Sequence, residues 1–293
     1  MNSTFTKLLC ISRPHIWIYT LGSFLLGVSI AYSQGFALHT THSDFPLSAT
    51  FILMYTTLWL TIPANVFLYA MNDACDTATD LYNPKKQGLE SRSDKNDAQH
   101  LFLYTLLSLF LYIPILFLLD STLIYLFIIW ITLITTYNLQ PLRLKALPFL
   151  DCLFSLNFPL WGIFGYYLTS SELPSLSAIC SISILAIIFH IYTAAGDIEY
   201  DKQDNIITTS VYIGTYIRSI CVSLAMTVSL LYYTYVQNSE IVFQRVLYIY
   251  IFFFIINMFM YKYKENLIKP DVWYTVFIIM HYISGLVFYI YFF

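Results

Sequence analysis

Three aspartates, Asp73, Asp76 and Asp80, stand at i, i+3 and i+7 in the stretch YAMNDACDTATDLYNPKK. On an α-helix that spacing puts them within about 60° of one another. A second set, Asp197, Asp201 and Asp204 in AAGDIEYDKQDN, follows 124 residues later at i, i+4 and i+7. It too falls within about 60° if the helix continues. A carboxylate at the edge of an apolar helix costs roughly 2.5–3.5 kcal/mol on insertion scales, and neighbouring like charges add to that. Something positive should balance them. Lysines can do so, and a stripe of oxygen ligands also suits a hard divalent cation such as Mg2+, which takes a few carboxylates together with substrate phosphate oxygens. Taken singly, each aspartate reads as well as a solvated helix cap; two stripes of one kind point to a site.

The elements that carry these residues follow from composition. Of 293 residues, 58% are hydrophobic and 11% charged, against roughly a quarter charged in a soluble domain. Marking every Asp, Glu, Lys and Arg leaves nine uncharged runs of 16 or more residues: 14–43, 45–72, 98–119, 121–142, 152–171, 173–196, 219–239, 246–261 and 272–293. Each can hold a helix of about 20 residues, the length that crosses the hydrocarbon layer, the shortest with Arg245 and Lys262 snorkelling from its ends. The alternating strands of about 10 residues that mark a membrane barrel are absent. The expected fold is therefore all-α, a polytopic bundle of nine transmembrane helices in the lipid bilayer.

Nine helices set the termini on opposite sides. With Lys7 and Arg13 in the cytoplasm, 13 of the 14 basic residues fall on that side and only Arg245 falls outside. This positive-inside asymmetry predicts an inner-membrane protein with a cytoplasmic amino terminus and an outer carboxyl terminus. Both acidic stripes then emerge on the cytoplasmic face and can meet across the bundle. The first run is too long for a cleavable signal and is expected to stay in the protein. Five scattered cysteines imply neither a disulfide framework nor a CxxC metal site. The longest polar stretch, about 83–97, reads as a loop, so residues 1–293 are expected to form one integral-membrane domain, with two lobes possible because one motif ends helix 2 and the other helix 6. No nucleic-acid partner is expected, and the oligomeric state is not legible.

The motifs read Asn72-Asp73-x-x-Asp76-x-x-x-Asp80 and Asp197-x-x-x-Asp201. With TYNLQPLRLK (Thr136 to Lys145) after helix 4, they resemble the signatures of the UbiA superfamily of intramembrane prenyltransferases. The resemblance covers nearly the whole chain. It implies Mg2+ held by both motifs against the diphosphate of an isoprenyl donor, which leaves as an allylic cation forms and alkylates a lipophilic acceptor. Asp73, Asp76, Asp197 and Asp201 would hold the metal, with Asn72 and Asp80 supporting or ligating; Asp204 is added from helical geometry alone. Tyr137 matches the family position whose aromatic ring faces the reacting carbon, which implies that its ring would stabilise the cation. Lys86, Arg143, Lys145 and Lys202 are candidates for the diphosphate, and Arg13 of SRPHIW matches a basic position at the start of helix 1. Fixed positive charge aimed at a leaving diphosphate is what such chemistry needs.

SRPHIWIYTLGSFLLG, NPKK, FLDCLFSLNFPLWGIFGYYLTSSELP and GDIEYDKQDNIITTSVYIG look most like the lycopene elongase branch. That branch implies a C5 donor and a polyene acceptor entering from the bilayer, with the aromatic segment Phe154 to Tyr167 as the place to look for its opening. Tyr200 replaces the proline commonly seen inside the second motif. The alternatives are an aromatic prenyltransferase acting on 4-hydroxybenzoate or a naphthoate and, more remotely, a cation-coupled transporter, since intramembrane acidic pairs occur there too. His190, mid-helix 6, either bonds a neighbouring helix or lies near the substrate.

Overall fold

The computed structural model describes residues 4–38, 47–76, 98–203, 205–217, 221, 224–225, 278–279 and 282–283. Asp80, Lys86, Asp204, the loop 83–97 and almost all of the last three expected helices lie outside these residues. Among the described residues the regular structure is entirely helical.

The helices are α1 (Thr4–Ile11), α2 (Leu21–Ser33), α3 (Leu47–Trp59), α4 (Ile62–Asp76), α5 (Ala98–Phe110), α6 (Ile113–Leu116), α7 (Ser121–Asn138), α8 (Asn157–Ser170), α9 (Leu176–Ala194), α10 (Ile198–Gln203) and α11 (Thr209–Ile213), joined in places by 3-10 turns. Among the described residues, four stretches are long and apolar enough to cross a membrane: Pro14–Ser33, Ala98–Leu116, Ser121–Asn138 and Leu176–Gln203. A fifth candidate is the pair α3 and α4, bent by 42°. Large apolar side chains such as Leu58, Leu106 and Phe110 stand exposed on these helices, as expected where the solvent is lipid rather than water.

The bend between α3 and α4 has a local cause. Pro63 stands at the second position of α4 and has no N–H to give to the preceding turn. Asn65 adds side-chain bonds at the break: its amide donates to the carbonyls of Leu60 and Thr61 at 2.8 and 2.7 Å. Backbone carbonyls freed inside a membrane need such a partner. The expected single helix 45–72 is therefore two segments, and the second carries Asp73 and Asp76.

The chain divides into two compact units, one of Met1–Lys145 with Leu160–Leu173 and one of Ala146–Pro159 with Pro174–Phe293. The first is built around a fully buried aromatic core. Trp59 packs tilted against Tyr112 with centroids 4.4 Å apart, and Trp130 meets Trp161 edge-on at 5.2 Å. Trp161 and Phe164, both within the aromatic segment read as a polyene opening, are thus core residues. A second feature of this unit is backbone contact between α2 and α8. A Cβ added at Gly27 would lie 1.9 Å from the carbonyl oxygen of Gly162, and one at Gly165 would lie 2.3 Å from that of Phe24. Small residues let helices approach this closely in a membrane, where dispersion replaces the hydrophobic drive. The second unit packs Ile188 and Ile191 of α9 with Cys152, Ile213, Ile217, Cys221 and Ala225.

The α2 and α8 contact is testable. Gly27→Ala must push the backbones apart and should destabilise the purified protein by about 1–3 kcal/mol, read as a lower thermal midpoint in detergent. Gly22→Ala meets only the flexible end of Ile18 and should leave the midpoint nearly unchanged.

Candidate active site

The first unit gathers six of the residues singled out by spacing and motif. Helix α4 buries Asp73 and Asp76 to 3% and 2% exposure, so neither can be balanced by bulk water. Arg13 donates to Asp73 at 2.9 Å across 60 residues of sequence, and its guanidinium lies 4.5 Å above the ring of Tyr69, one turn earlier on α4. Asp76 is the more heavily served. Its carboxylate accepts from the Asn72 amide at 3.0 Å, lies 3.4 Å from Arg143 and pairs closely with Lys145. Removing one partner from a buried pair typically costs 3–5 kcal/mol because the other charge is stranded. These contacts therefore fix where α1, α4 and the segment after α7 meet.

Both arginines are held in unusual backbone. Arg13 has φ 50° and Arg143 has φ 36°, the left-handed region that non-glycine residues seldom occupy and that costs of order 1–3 kcal/mol. Two such residues, each aimed at an aspartate of one motif, mark the place where local preference gives way to the site. Arg13 follows α1, a helix that lies before the first uncharged run 14–43 and that the sequence did not announce, and precedes the 3-10 turn Pro14–Tyr19.

Asn138 was not singled out from sequence. It ends α7 and accepts from the Asn72 amide at 3.1 Å while donating to the carbonyl of Ile134 at 2.9 Å, so an amide chain links α7 to Asp76. The available signal was a buried amide inside the segment that already named Tyr137. Tyr137 itself is half-buried on α7, one residue before Asn138.

The second unit carries the other motif on one continuous span. Asp197 closes a 3-10 turn after α9, and Asp201 lies one turn on in α10. Both are half-buried, and Lys202 is exposed. Thr208 donates its hydroxyl to Asp201 at 3.1 Å and caps α11 by accepting from the Val211 amide at 3.3 Å. The Asp201 carboxylate is thereby tied to the next helix.

A further cluster in this unit was only partly foreseen. His190 Nε2 lies 3.6 Å from Asp151 Oδ2. Asp151 accepts from the Thr209 amide at 2.9 Å and closely from the Thr209 hydroxyl, and the Cys152 thiol donates to that hydroxyl at 3.4 Å. The signal for Asp151 was a lone acid at the edge of an uncharged run. Ligand atoms of Asp151, Cys152 and His190 lie within 4.8 Å of one another. Both carboxylate oxygens are already engaged by Thr209, however, so the group reads as a hydrogen-bonded clasp rather than a metal site.

The two aspartate motifs are different. Their possible ligand atoms are all hard oxygens, in part served by nitrogen cations that suit a phosphate equally well. That donor set fits Mg2+.

Comparison with known proteins agrees with this chemistry. The UbiA prenyltransferase family matches residues 35–284. A lycopene elongase/hydratase of Haloarcula japonica is 32% identical over 207 residues, covering 71% of this chain and 67% of the relative. One of Halobacterium salinarum is 33% identical over 210 residues, covering 72% of each. In structure, a UbiA homologue of Archaeoglobus fulgidus bound to GPP and Mg2+ superposes with a TM-score of 0.71 at 18% identity, over 98% of both chains. Sequence motif, helical architecture and family match converge: the chain belongs to the UbiA prenyltransferase family.

Proposed function

We propose that this protein transfers a C5 isoprenyl group from its diphosphate to a carotenoid such as lycopene. The observation that carries the reading is the buried pairing of Asp73 and Asp76 with Arg13, Arg143 and Lys145, taken with the elongase relatives. Asp73, Asp76, Asp197 and Asp201 would hold Mg2+, with Asn72, Asp80 and Asp204 in support. Mg2+ bound there supplies charge against the diphosphate as its bond to carbon breaks. Arg143 and Lys145 orient and neutralise the leaving group, with Arg13, Lys86 and Lys202 contributing charge. Tyr137 offers its ring to the cation that forms. We propose that residues 1–293 act as one functional domain.

The metal arm of this reading predicts that membranes bearing the protein lose activity on chelation and regain it with Mg2+. Asp76→Asn and Asp201→Asn should each lower turnover at least about 100-fold while the protein still accumulates, since each removes charge from the place where the leaving group is stabilised. Full activity in either variant overturns the two-motif site.

The acceptor is decided by incubating membranes with labelled dimethylallyl diphosphate and either lycopene or 4-hydroxybenzoate. Label is expected in the carotenoid. Label found only in the benzoate makes this an aromatic prenyltransferase with the same catalytic residues.

We further propose that the protein lies in the inner membrane with its amino terminus in the cytoplasm, a reading supported by the 13-to-1 division of basic residues. In a cysteine-depleted background, a cysteine at Lys202 should react only with reagent on the cytoplasmic side and one at Glu172 only from outside. The opposite pattern reverses the topology.

A further inference from the structure

Alkylation of a polyene by an allylic cation does not end the reaction. The C1–O bond of the donor breaks with its electron pair leaving on the diphosphate, and a terminal C=C pair of the acceptor closes on C1. A cation is left on the neighbouring acceptor carbon. It must lose an adjacent proton, whose C–H pair becomes a new double bond, or take up water, which then releases a proton as the alcohol forms. Either ending needs a proton acceptor within reach of the acceptor carbon.

The second unit holds one candidate in the right register. His190 stands in the middle of the span Leu176–Gln203, seven residues before Asp197. Seven residues are about two turns and about 10 Å, so His190 lies on the face of Asp197 and Asp201 to within roughly 60°, allowing for the tighter 3-10 turn between them. Its side chain retains 14% exposure. Phe154 lies 6.3 Å away, centroid to centroid, and Phe158 meets Phe154 edge-on at 6.2 Å. Both belong to the part of the aromatic segment that is half-buried rather than locked in core. The groups facing His190 from the packed elements are Asp151 and Cys152 before α8 and the non-titrating Thr209 of α11; Asp197 follows on its own span.

We propose that His190 is the group that accepts the terminating proton, from the acceptor carbon or from the water that adds to it, and that Asp151, fixed by Thr209, is its positioning residue. A carboxylate within 3.6 Å orients the imidazole and receives the charge it acquires. The proton then passes to solvent before the next turnover. Thr209 holds both Asp151 oxygens, which explains why a carboxylate with 1% exposure is retained at this depth. The proposal rests on the carotenoid reading above.

The test uses full-length protein in membranes, labelled dimethylallyl diphosphate and lycopene, and counts carotenoid product formed per diphosphate released. Loss of folded protein lowers both numbers together and leaves their ratio unchanged; loss of the proton acceptor lowers the ratio. His190→Ala is expected to reduce it roughly tenfold or more, with the donor lost to water as the C5 alcohol, and added imidazole is expected to restore it. Asp151→Asn should lower the ratio in the same sense and Asp151→Glu should recover it. If His190→Ala does not accumulate, His190→Gln, which keeps a polar group beside Asp151, carries the same expectation. A ratio equal to wild type in the accumulated His190 variant overturns the proposal and leaves the cluster as a packing clasp. A wild-type protein that prenylates no carotenoid overturns the reading beneath it, and the proton-acceptor role falls with it.

Discussion

A carboxylate withdrawn from water inside an apolar protein must face a cation or hydrogen-bond donors, and in this protein the helices of the first unit are arranged around that requirement. Asp73 and Asp76 sit on successive turns of α4 with almost no exposure. Their partners come from places far apart in sequence: Arg13 from the turn after α1, Arg143 and Lys145 from the segment after α7. Surface ion pairs contribute little, but a buried charge without its partner is costly, so these pairs constrain chain path as well as chemistry. The same cations are what a diphosphate would need.

Other features of the first unit serve the placement of α4. The break after Leu60 re-aims the chain so that the aspartate-bearing segment runs independently of α3, and Asn65 makes the break tolerable by covering the freed carbonyls. The aromatic core of Trp59, Tyr112, Phe127, Trp130 and Trp161 locks α7 against α3 and α8. The glycine contacts bring α2 against α8 at backbone distance. Strain is concentrated where it bears on the site, in the left-handed backbone of Arg13 and Arg143.

What sequence made legible was whatever repeats at helical spacing or concentrates by type. Asp73, Asp76, Asp197 and Asp201 declared themselves because carboxylates are rare in an apolar chain, and Arg13, Arg143 and Lys145 because they share the basic side and stand in segments that resemble those of the family. The contacts of Asn138 with Asn72 and of Thr209 with Asp151 join residues 66 and 58 apart, and no local pattern announces a non-local hydrogen bond. The ring of Tyr69 beneath Arg13 was one of 26 tyrosines, so its type carried no information until the fold selected it. Helix breaks were legible only in hindsight: Pro63 was visible, but an uncharged run of 28 residues reads as one helix until the side chain of Asn65 is seen to cap the gap. For the same reason the segment Phe154 to Tyr167 divided, with Trp161 and Phe164 spent on packing, Phe154 left beside His190 and Phe158 against Phe154.

The central proposal is that the aspartates of each motif are required to hold Mg2+ with the donor's diphosphate. The most direct measurement is electron paramagnetic resonance of Mn2+, standing in for Mg2+, titrated into purified protein with dimethylallyl diphosphate present. Wild-type protein is expected to bind the ion in a donor-dependent manner, and Asp73→Asn and Asp197→Asn are each expected to abolish that binding while the protein stays folded. Donor-dependent Mn2+ binding of undiminished strength in both variants would contradict the account.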